Sequence, residues 1–276
     1  MSARVKWHAG VSGLVLILTL MLTGLPPSSR AEITGIVISS TQPYGDFAPG
    51  KYIRMEGEAH GVLSPKEPIP DLDKAPRNSA GLVEYRTPIT LVIPESRRAG
   101  NGTLLVEIPN RGRPISHMLY NSPRSRPLLV GSLDQGTGFL QNRGYSIAVV
   151  QWELGEGIQI PSFTDDRGVK RYIEGIGFAA ARDVALFLRH DRTPGNPLAG
   201  AIERVYAAGY SQTARFLKSF LVNGFNEHDG RIVFDGMHII AHLAGGLPLL
   251  ASGTGPGSVA SVTPSPRNPE HRGVHE

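Results

Sequence analysis

Residues 204–213 (RVYAAGYSQT) decide the fold of this chain. The first half of this stretch is short and apolar, which is typical of a buried β-strand. The apolar residues that follow recur at the spacing of an amphipathic helix: Phe216, Leu217, Phe220 and Leu221. Ser211 is therefore predicted at a sharp strand-to-helix turn, which exposes a serine hydroxyl as a nucleophile. The alternative is a purely structural role, in which Ser211 caps the helix at an ordinary turn.

The rest of the chain also alternates between strands and helices. Residues 103–109 (TLLVEIP) and 145–152 (YSIAVVQW) are predicted as buried strands, 176–189 as a helix, 212–222 as a second helix and 237–243 as a further strand. Three earlier strands, at 33–40, 52–62 and 83–93, have no helix between them, and 155–171 is predicted as a loop. This order predicts an α/β fold with a mostly parallel sheet and an antiparallel start.

Serine catalysis also needs donors for the oxyanion that forms on the substrate. The backbone N–H of Gln212 is expected to be one donor, because it follows the turn at the helix N-terminus. The second is expected from the Asn110-Arg111-Gly112 loop after the strand at 103–109, with Arg111 and Gly112 as the candidates. This order of strand, loop, strand, helix, strand and serine turn is the order of the α/β-hydrolase fold.

Residues 208–225 (AGYSQTARFLKSFLVNGF) and 231–246 (RIVFDGMHIIAHLAGG) resemble a family of exported bacterial α/β-hydrolase-domain proteins. The shared pattern is Gly-Phe-Ser-Gln-Ser-Gly-Arg-Phe-Leu, then Gly-Phe-Asn, then Phe-Asp-Gly and a strand that ends in Ala-Gly-Gly. The resemblance covers about residues 33–246. It implies the α/β-hydrolase fold and the nucleophile role for Ser211, and it implies no substrate. Ala214 stands where the family has Gly. Thr213 is the fifth residue of the general Gly-x-Ser-x-Gly elbow motif, a position at which Gly is commonest.

The acid and the histidine of a hydrolase triad follow the serine in chain order. The family continues beyond the Ala-Gly-Gly strand, so the chain is expected to be truncated near residue 246 and to lack the usual acid and His. The residues left to complete a triad are Asp235 with one of His238, His242, His271 and His275. Glu153, at the end of a strand, is a weaker site candidate. Asp183 is expected to face solvent or to pair with Arg182 or Arg189.

The first 31 residues have the features of a secretory signal. Arg4 and Lys6 form a basic start, an uncharged apolar run follows at 11–25, and Ser29-Arg30-Ala31 supplies small residues for cleavage. An uncleaved anchor is the alternative, although the run of about 15 residues is short for a membrane span. The predicted organisation is a signal peptide at 1–31, a partial α/β-hydrolase domain at 32–246 and a disordered tail at 247–276, where Gly, Pro and Ser fill 13 positions.

Composition narrows the possible partners. The net charge of +4 falls to +1 without the three basic residues of the first 31, so no nucleic-acid partner is expected. The chain has no Cys, and it has neither a phosphate-binding glycine loop nor His residues at ligand spacing, so no cofactor or metal is expected. A small acyl compound is the expected partner, and a membrane only through an uncleaved N-terminal segment.

The sequence predicts a serine hydrolase acting on an ester or related acyl bond. The alternatives are a catalytically inactive fragment and an exported non-enzymatic binding domain on the same fold.

Overall fold

The computed structural model describes residues 32–122, 133–241 and 245–249. In chain order its elements are β1 (Glu32–Phe47), β2 (Gly50–Leu63), β3 (Val83–Pro94), β4 (Thr103–Glu107), α1 (Ile115–Asn121), β5 (Ser146–Val150), β6 (Ser162–Thr164), β7 (Lys170–Tyr172), α2 (Ile176–His190), β8 (Arg204–Tyr210), α3 (Gln212–Val222), β9 (Glu227–His228), β10 (Arg231–Ile232) and β11 (Gly236–Ile240). Single 3₁₀ turns lie at Leu72–Lys74, Arg97–Ala99 and Gln141–Arg143.

Seven strands form one mixed sheet in the order β1-β2-β3-β5-β4-β8-β11. The pairs β1–β2, β2–β3 and β3–β5 are antiparallel. The pairs β5–β4, β4–β8 and β8–β11 are parallel. The predicted sheet, with its antiparallel start and parallel centre, is confirmed. The carboxyl ends of β5, β4, β8 and β11 therefore lie along one edge, where ligands of open α/β sheets bind.

The central strands are buried on both faces, which explains their nearly continuous apolar sequence. Every residue of β4 and of β5 is buried. In β4, Leu104 and Val106 pack in the core that contains α2 and α3, whereas Leu105 packs in a second core on the opposite face. The alternation follows from the pleat of a strand, which directs successive side chains to opposite faces. The result is a three-layer arrangement with the sheet in the middle.

Three features differ from the sequence-based expectation. Strand β1 extends to Phe47, because its irregular pairing with β2 is maintained through three register shifts. Helix α1 was not predicted, since its seven residues complete only two turns and show no clear periodicity. The predicted loop at 155–171 contains β6, which pairs with β7 as a small antiparallel hairpin.

The described chain continues in packed form just beyond the predicted domain boundary at residue 246. Leu247 is buried, its backbone N–H donates to Ser219 Oγ at 2.6 Å, and Ser219 Oγ donates to the Leu247 carbonyl oxygen at 2.8 Å. The predicted signal peptide at 1–31 and residues 250–276 of the predicted tail lie outside the described residues. Across the described ranges, the helices are all too short or too polar to cross a membrane.

Candidate active site

Ser211 is the single residue between β8 and α3. Its backbone has φ 57° and ψ −107°, a conformation that non-glycine residues rarely adopt and that costs energy to hold. The side chain is exposed at the carboxyl edge of the sheet and makes no capping hydrogen bond to the helix. The interpretation of Ser211 as a helix cap therefore has no support in this geometry. The strained turn and the exposed hydroxyl are the features of a nucleophile elbow.

The residues around Ser211 show why this turn forms. A Cβ atom added to Gly209 would lie 2.5 Å from the carbonyl oxygen of Thr213, so only glycine lets β8 approach the first turn of α3 so closely. The Thr213 hydroxyl accepts the N–H of Tyr210 at 2.9 Å and donates to the Tyr210 carbonyl at 3.2 Å. Thr213 thus bridges the backbone of the turn, which explains how this bulkier residue stands where Gly is commonest.

The Asn110 loop lies beside the elbow, because β4 pairs directly with β8. Asn110 and Arg113 exchange backbone hydrogen bonds of 2.8 and 3.1 Å, and Arg111 and Gly112 both have positive φ, as in a type I′ turn. The Asn110 side-chain amide donates to the Tyr210 carbonyl at 2.9 Å, which joins the turn to the elbow. The structure therefore brings the three predicted oxyanion residues, Gln212, Arg111 and Gly112, to the edge of the sheet where Ser211 lies.

Glu153 reaches the same place from the carboxyl end of β5. Its Oε1 accepts the side-chain amide of Gln212 at 2.8 Å. Burial raises the pKa of Glu153, and the nearby Glu156 adds to this effect, whereas the Gln212 hydrogen bond and the charge and backbone N–H of Arg111 oppose it. The weaker site candidate from the sequence is therefore in direct contact with the residue that follows Ser211.

Asp235 lies at the amino ends of the parallel strands, whereas Ser211 lies at their carboxyl ends. Its Oδ2 accepts the backbone N–H of Val205 at 2.8 Å, and Arg189 forms an ion pair with it at 3.1 Å. Val205 is near the start of β8, and Ser211 follows the end of that strand, about 20 Å away at the usual rise of about 3.3 Å per residue. The candidate acid Asp235 therefore cannot contact a histidine that serves Ser211.

The structure describes only one of the four candidate histidines. His238 lies on β11 in register with Ala208, is exposed, and its Nδ1 shares a hydrogen bond with the hydroxyl of Tyr120 in α1. It is therefore engaged below the elbow rather than with Ser211. The other three, His242, His271 and His275, lie outside the described residues. In the part of the chain that the structure describes, the Ser211 hydroxyl forms no hydrogen bond.

Asp183 corrects one expectation and agrees with another. The carboxyl group is buried rather than facing solvent, and it accepts Arg182 Nε at 2.7 Å and the Tyr85 hydroxyl at 2.8 Å. Arg182 also pairs with Glu67 at 2.8 Å. A buried charge is tolerated when it is paired and hydrogen-bonded, which explains this cluster between α2 and the sheet. Asp183 thus belongs to the core and not to the active site.

Sequence reasoning missed a buried polar group below the Asn110 turn. Glu107, the last residue of β4, is fully buried and accepts the backbone N–H groups of Ser116 and His117 at 3.0 and 3.1 Å, at the start of α1. Burial raises the pKa of Glu107 to about 8 despite these hydrogen bonds. Burial lowers the pKa of His117 to about 4. The one available signal was a carboxylate in an otherwise apolar strand.

A family model described as an alpha/beta hydrolase domain matches residues 145–271. The chain has the α/β-hydrolase fold that the resemblance implied, and the matched residues contain the elbow. No curated protein matches the sequence. Over the described residues, His, Asp and Glu form no group of three that could hold a metal ion.

Two solved esterases are similar to the chain. One is a CE15 glucuronoyl esterase from Teredinibacter turnerae T7901, with 14% identity, a TM-score of 0.36, and coverage of 74% of this chain and 50% of that one. The other is the rice cell wall degrading esterase LipA from Xanthomonas oryzae in a ligand-bound form, with 14% identity, a TM-score of 0.36, and coverage of 76% and 50%. The chain thus spans about half the length of these proteins.

Proposed function

We propose that this protein is a serine hydrolase that acts on an ester or related acyl bond, with Ser211 as the nucleophile. The observation that carries the proposal is the backbone of Ser211, which is held at φ 57° and ψ −107° between β8 and α3. A strained residue is retained where surrounding structure or function requires it. Here the strain exposes a hydroxyl at the carboxyl edge of the sheet, in a family-matched α/β-hydrolase domain.

The arrangement supports a two-step acyl transfer. Ser211 Oγ bonds to the carbonyl carbon of the substrate, a base takes the hydroxyl proton, and the carbonyl π electrons move to the oxygen. The backbone N–H of Gln212 and an N–H from Arg111 or Gly112 stabilise that oxyanion, helped by the N-terminus of α3. When the carbonyl re-forms, the alcohol departs with the proton, and water later releases the acid by the same steps.

A fluorophosphonate probe tests the role of Ser211 directly, because it reacts with an activated serine and forms a stable adduct. We expect the wild-type protein to be labelled on Ser211, as located by peptide mass spectrometry, and Ser211→Ala to remain unlabelled. Ser219→Ala is the matched control, since Ser219 lies in the same helix, is buried, and its hydroxyl hydrogen-bonds to the backbone of Leu247. Equal labelling of wild type and Ser211→Ala excludes Ser211 as the nucleophile.

The alternatives are an inactive fragment and a binding domain, and both are favoured by the unbonded Ser211 hydroxyl, which meets no base among the described residues. An inactive fragment predicts no turnover of small activated esters such as 4-nitrophenyl acetate. A binding domain predicts in addition that ligand affinity is unchanged in Ser211→Ala. Probe labelling combined with ester turnover excludes both alternatives.

We also propose that the protein is exported and acts on a small acyl compound, with no nucleic-acid partner. The support is the basic start and apolar run of residues 1–31 and the charge of +1 that remains without them. Fractionation of a bacterial host that expresses the full chain tests export. Extracellular or periplasmic protein whose N-terminus is Glu32 supports cleavage, whereas membrane-bound protein that retains Met1 supports an uncleaved anchor.

A further inference from the structure

The loops after β4, β5 and β8 meet at the carboxyl edge of the sheet. Glu153 lies in the loop after β5, and its carboxyl group contacts residues that follow β4 and β8. Strand β5 is the neighbour of β4 in the sheet. Its Oε1 accepts the Gln212 side-chain amide at 2.8 Å, and the Arg111 backbone N–H approaches the same carboxyl. Both contacts are with residues proposed to supply oxyanion donors. Glu153 is therefore placed to act on the geometry of these two residues.

Two oxygen atoms in this pair of side chains find no partner among the described residues. Glu153 Oε2 and Gln212 Oε1 are both inaccessible to solvent and form no hydrogen bond there. An ionised carboxylate and an amide carbonyl can only accept hydrogen bonds, so with Glu153 ionised the two oxygens cannot bond to each other. Leaving both unpaired is unfavourable, because each buried oxygen loses the hydrogen bonds that it makes to water in the unfolded chain. A proton on Glu153 Oε2 turns that atom into a donor.

A neutral carboxyl group and a primary amide form a ring closed by two hydrogen bonds. Gln212 Nε2 donates to Glu153 Oε1, as the structure shows, and a protonated Glu153 Oε2 is able to donate to Gln212 Oε1. Burial and the neighbouring charge of Glu156 favour this neutral form, whereas Arg111 favours the ionised form. These are the charged groups that act on Glu153 from its own loop and from the turn after β4.

We propose that Glu153 is a positioning residue of the Ser211 site, which holds Gln212 as a neutral carboxyl group through two hydrogen bonds. Gln212 is the first residue of α3, and only 8% of its surface is exposed. Fixing its side chain restrains the direction of its backbone N–H, on which oxyanion stabilisation depends. The inference rests on the proposed nucleophile role of Ser211.

Substitution at Glu153 separates hydrogen bonding from charge. Glu153→Gln keeps the shape and both hydrogen bonds as an amide pair, so we expect its rate of fluorophosphonate labelling to stay within about threefold of wild type. Glu153→Ala removes both, and we expect labelling and kcat for 4-nitrophenyl acetate to fall at least tenfold with little change in KM, because the lost interaction acts mainly in the transition state. Equal losses in the two variants would show that the charge is required and would overturn the proposal, as would wild-type rates in Glu153→Ala.

The pH dependence supplies a second readout that does not need the alanine variant to fold. Wild-type labelling is expected to fall as the pH rises, because Glu153 loses its proton and the second hydrogen bond is lost with it. Glu153→Gln cannot lose this proton, so its profile is expected to lack that fall, and identical profiles would refute the proposal. Wild-type protein without any adduct at Ser211 would instead overturn the proposed function, and the positioning role with it.

Discussion

Replacing Ser211 with glycine is expected to stabilise the protein while abolishing its reaction with the probe. A residue held in a sparsely populated backbone conformation costs about 1–3 kcal/mol. Glycine accepts positive φ without that cost, but its greater freedom in the unfolded chain offsets about 0.5–1 kcal/mol. The Ser211 side chain is exposed and forms no hydrogen bond in the described structure, so its removal loses little else. The net expectation is a gain of about 0.5–2 kcal/mol in the free energy of unfolding.

Urea denaturation of wild type, Ser211→Gly and Ser211→Ala measures this gain. Alanine retains the Cβ atom and therefore the strain, so Ser211→Ala is the matched control and is expected to remain close to wild type. The gain in Ser211→Gly corresponds to a rise in Tm of about 1–8 °C for a domain of this size. Both variants are expected to be unlabelled by the fluorophosphonate. If Ser211→Gly is no more stable than Ser211→Ala, the elbow stores no strain and the argument from backbone geometry fails.

Three further expectations follow from the packing and the pKa shifts. Gly209→Ala places a Cβ atom 2.5 Å from the Thr213 carbonyl oxygen, so we expect a loss of stability of about 1–3 kcal/mol in urea denaturation and a loss of labelling. The pKa of Glu107 is about 8 in the folded protein and 4.5 in the unfolded chain, so this group makes the free energy of unfolding fall as the pH rises between these values. The pKa of His117 is lowered from 6.5 to about 4, so this group makes the free energy of unfolding rise with pH between those two values. The free energy of unfolding is therefore expected to fall between pH 6.5 and 8 by up to about 1.4 kcal/mol per unit, and Glu107→Gln is expected to remove this fall. Arg182→Met leaves the buried Asp183 carboxyl group and the partly buried Glu67 carboxyl group without their cation, and we expect it to lower the free energy of unfolding by about 3–5 kcal/mol.

Each of these variants has a matched comparison. Gly35→Ala adds a Cβ atom with nothing within 4 Å and is expected to be tolerated, so equal losses at Gly35 and Gly209 would contradict the steric argument. A stability profile that still falls above pH 6.5 in Glu107→Gln would assign the fall to another group. Arg171→Met removes an accessible ion pair with Asp165 and is expected to cost much less than Arg182→Met.

Local patterns were sufficient to predict most of the sheet. The apolar strands β4, β5 and β8 and the helices α2 and α3 have strong periodicity, and they lie where their sequences predicted. Helix α1 lacks such a pattern, and it begins where its first N–H groups meet the carboxyl group of Glu107, on a different strand. No window of local sequence contains that contact.

The sequence by itself determined the elbow, because the features that form it lie within five residues. Gly209 lies against the Thr213 backbone, and the Thr213 hydroxyl bonds to the Tyr210 backbone, across the single turn that holds Ser211, so the spacing of these residues in the chain already specifies their spacing in space. The tertiary structure alone decided which distant side chains join them. Glu153 lies 59 residues before Gln212 and meets it only because β5, β4 and β8 are neighbours in the sheet. Asp235 follows Ser211 in the chain order of a triad, yet parallel pairing of β11 with β8 places it at the opposite edge. Strand order and direction are set by packing over the whole domain, and local residue patterns do not contain them.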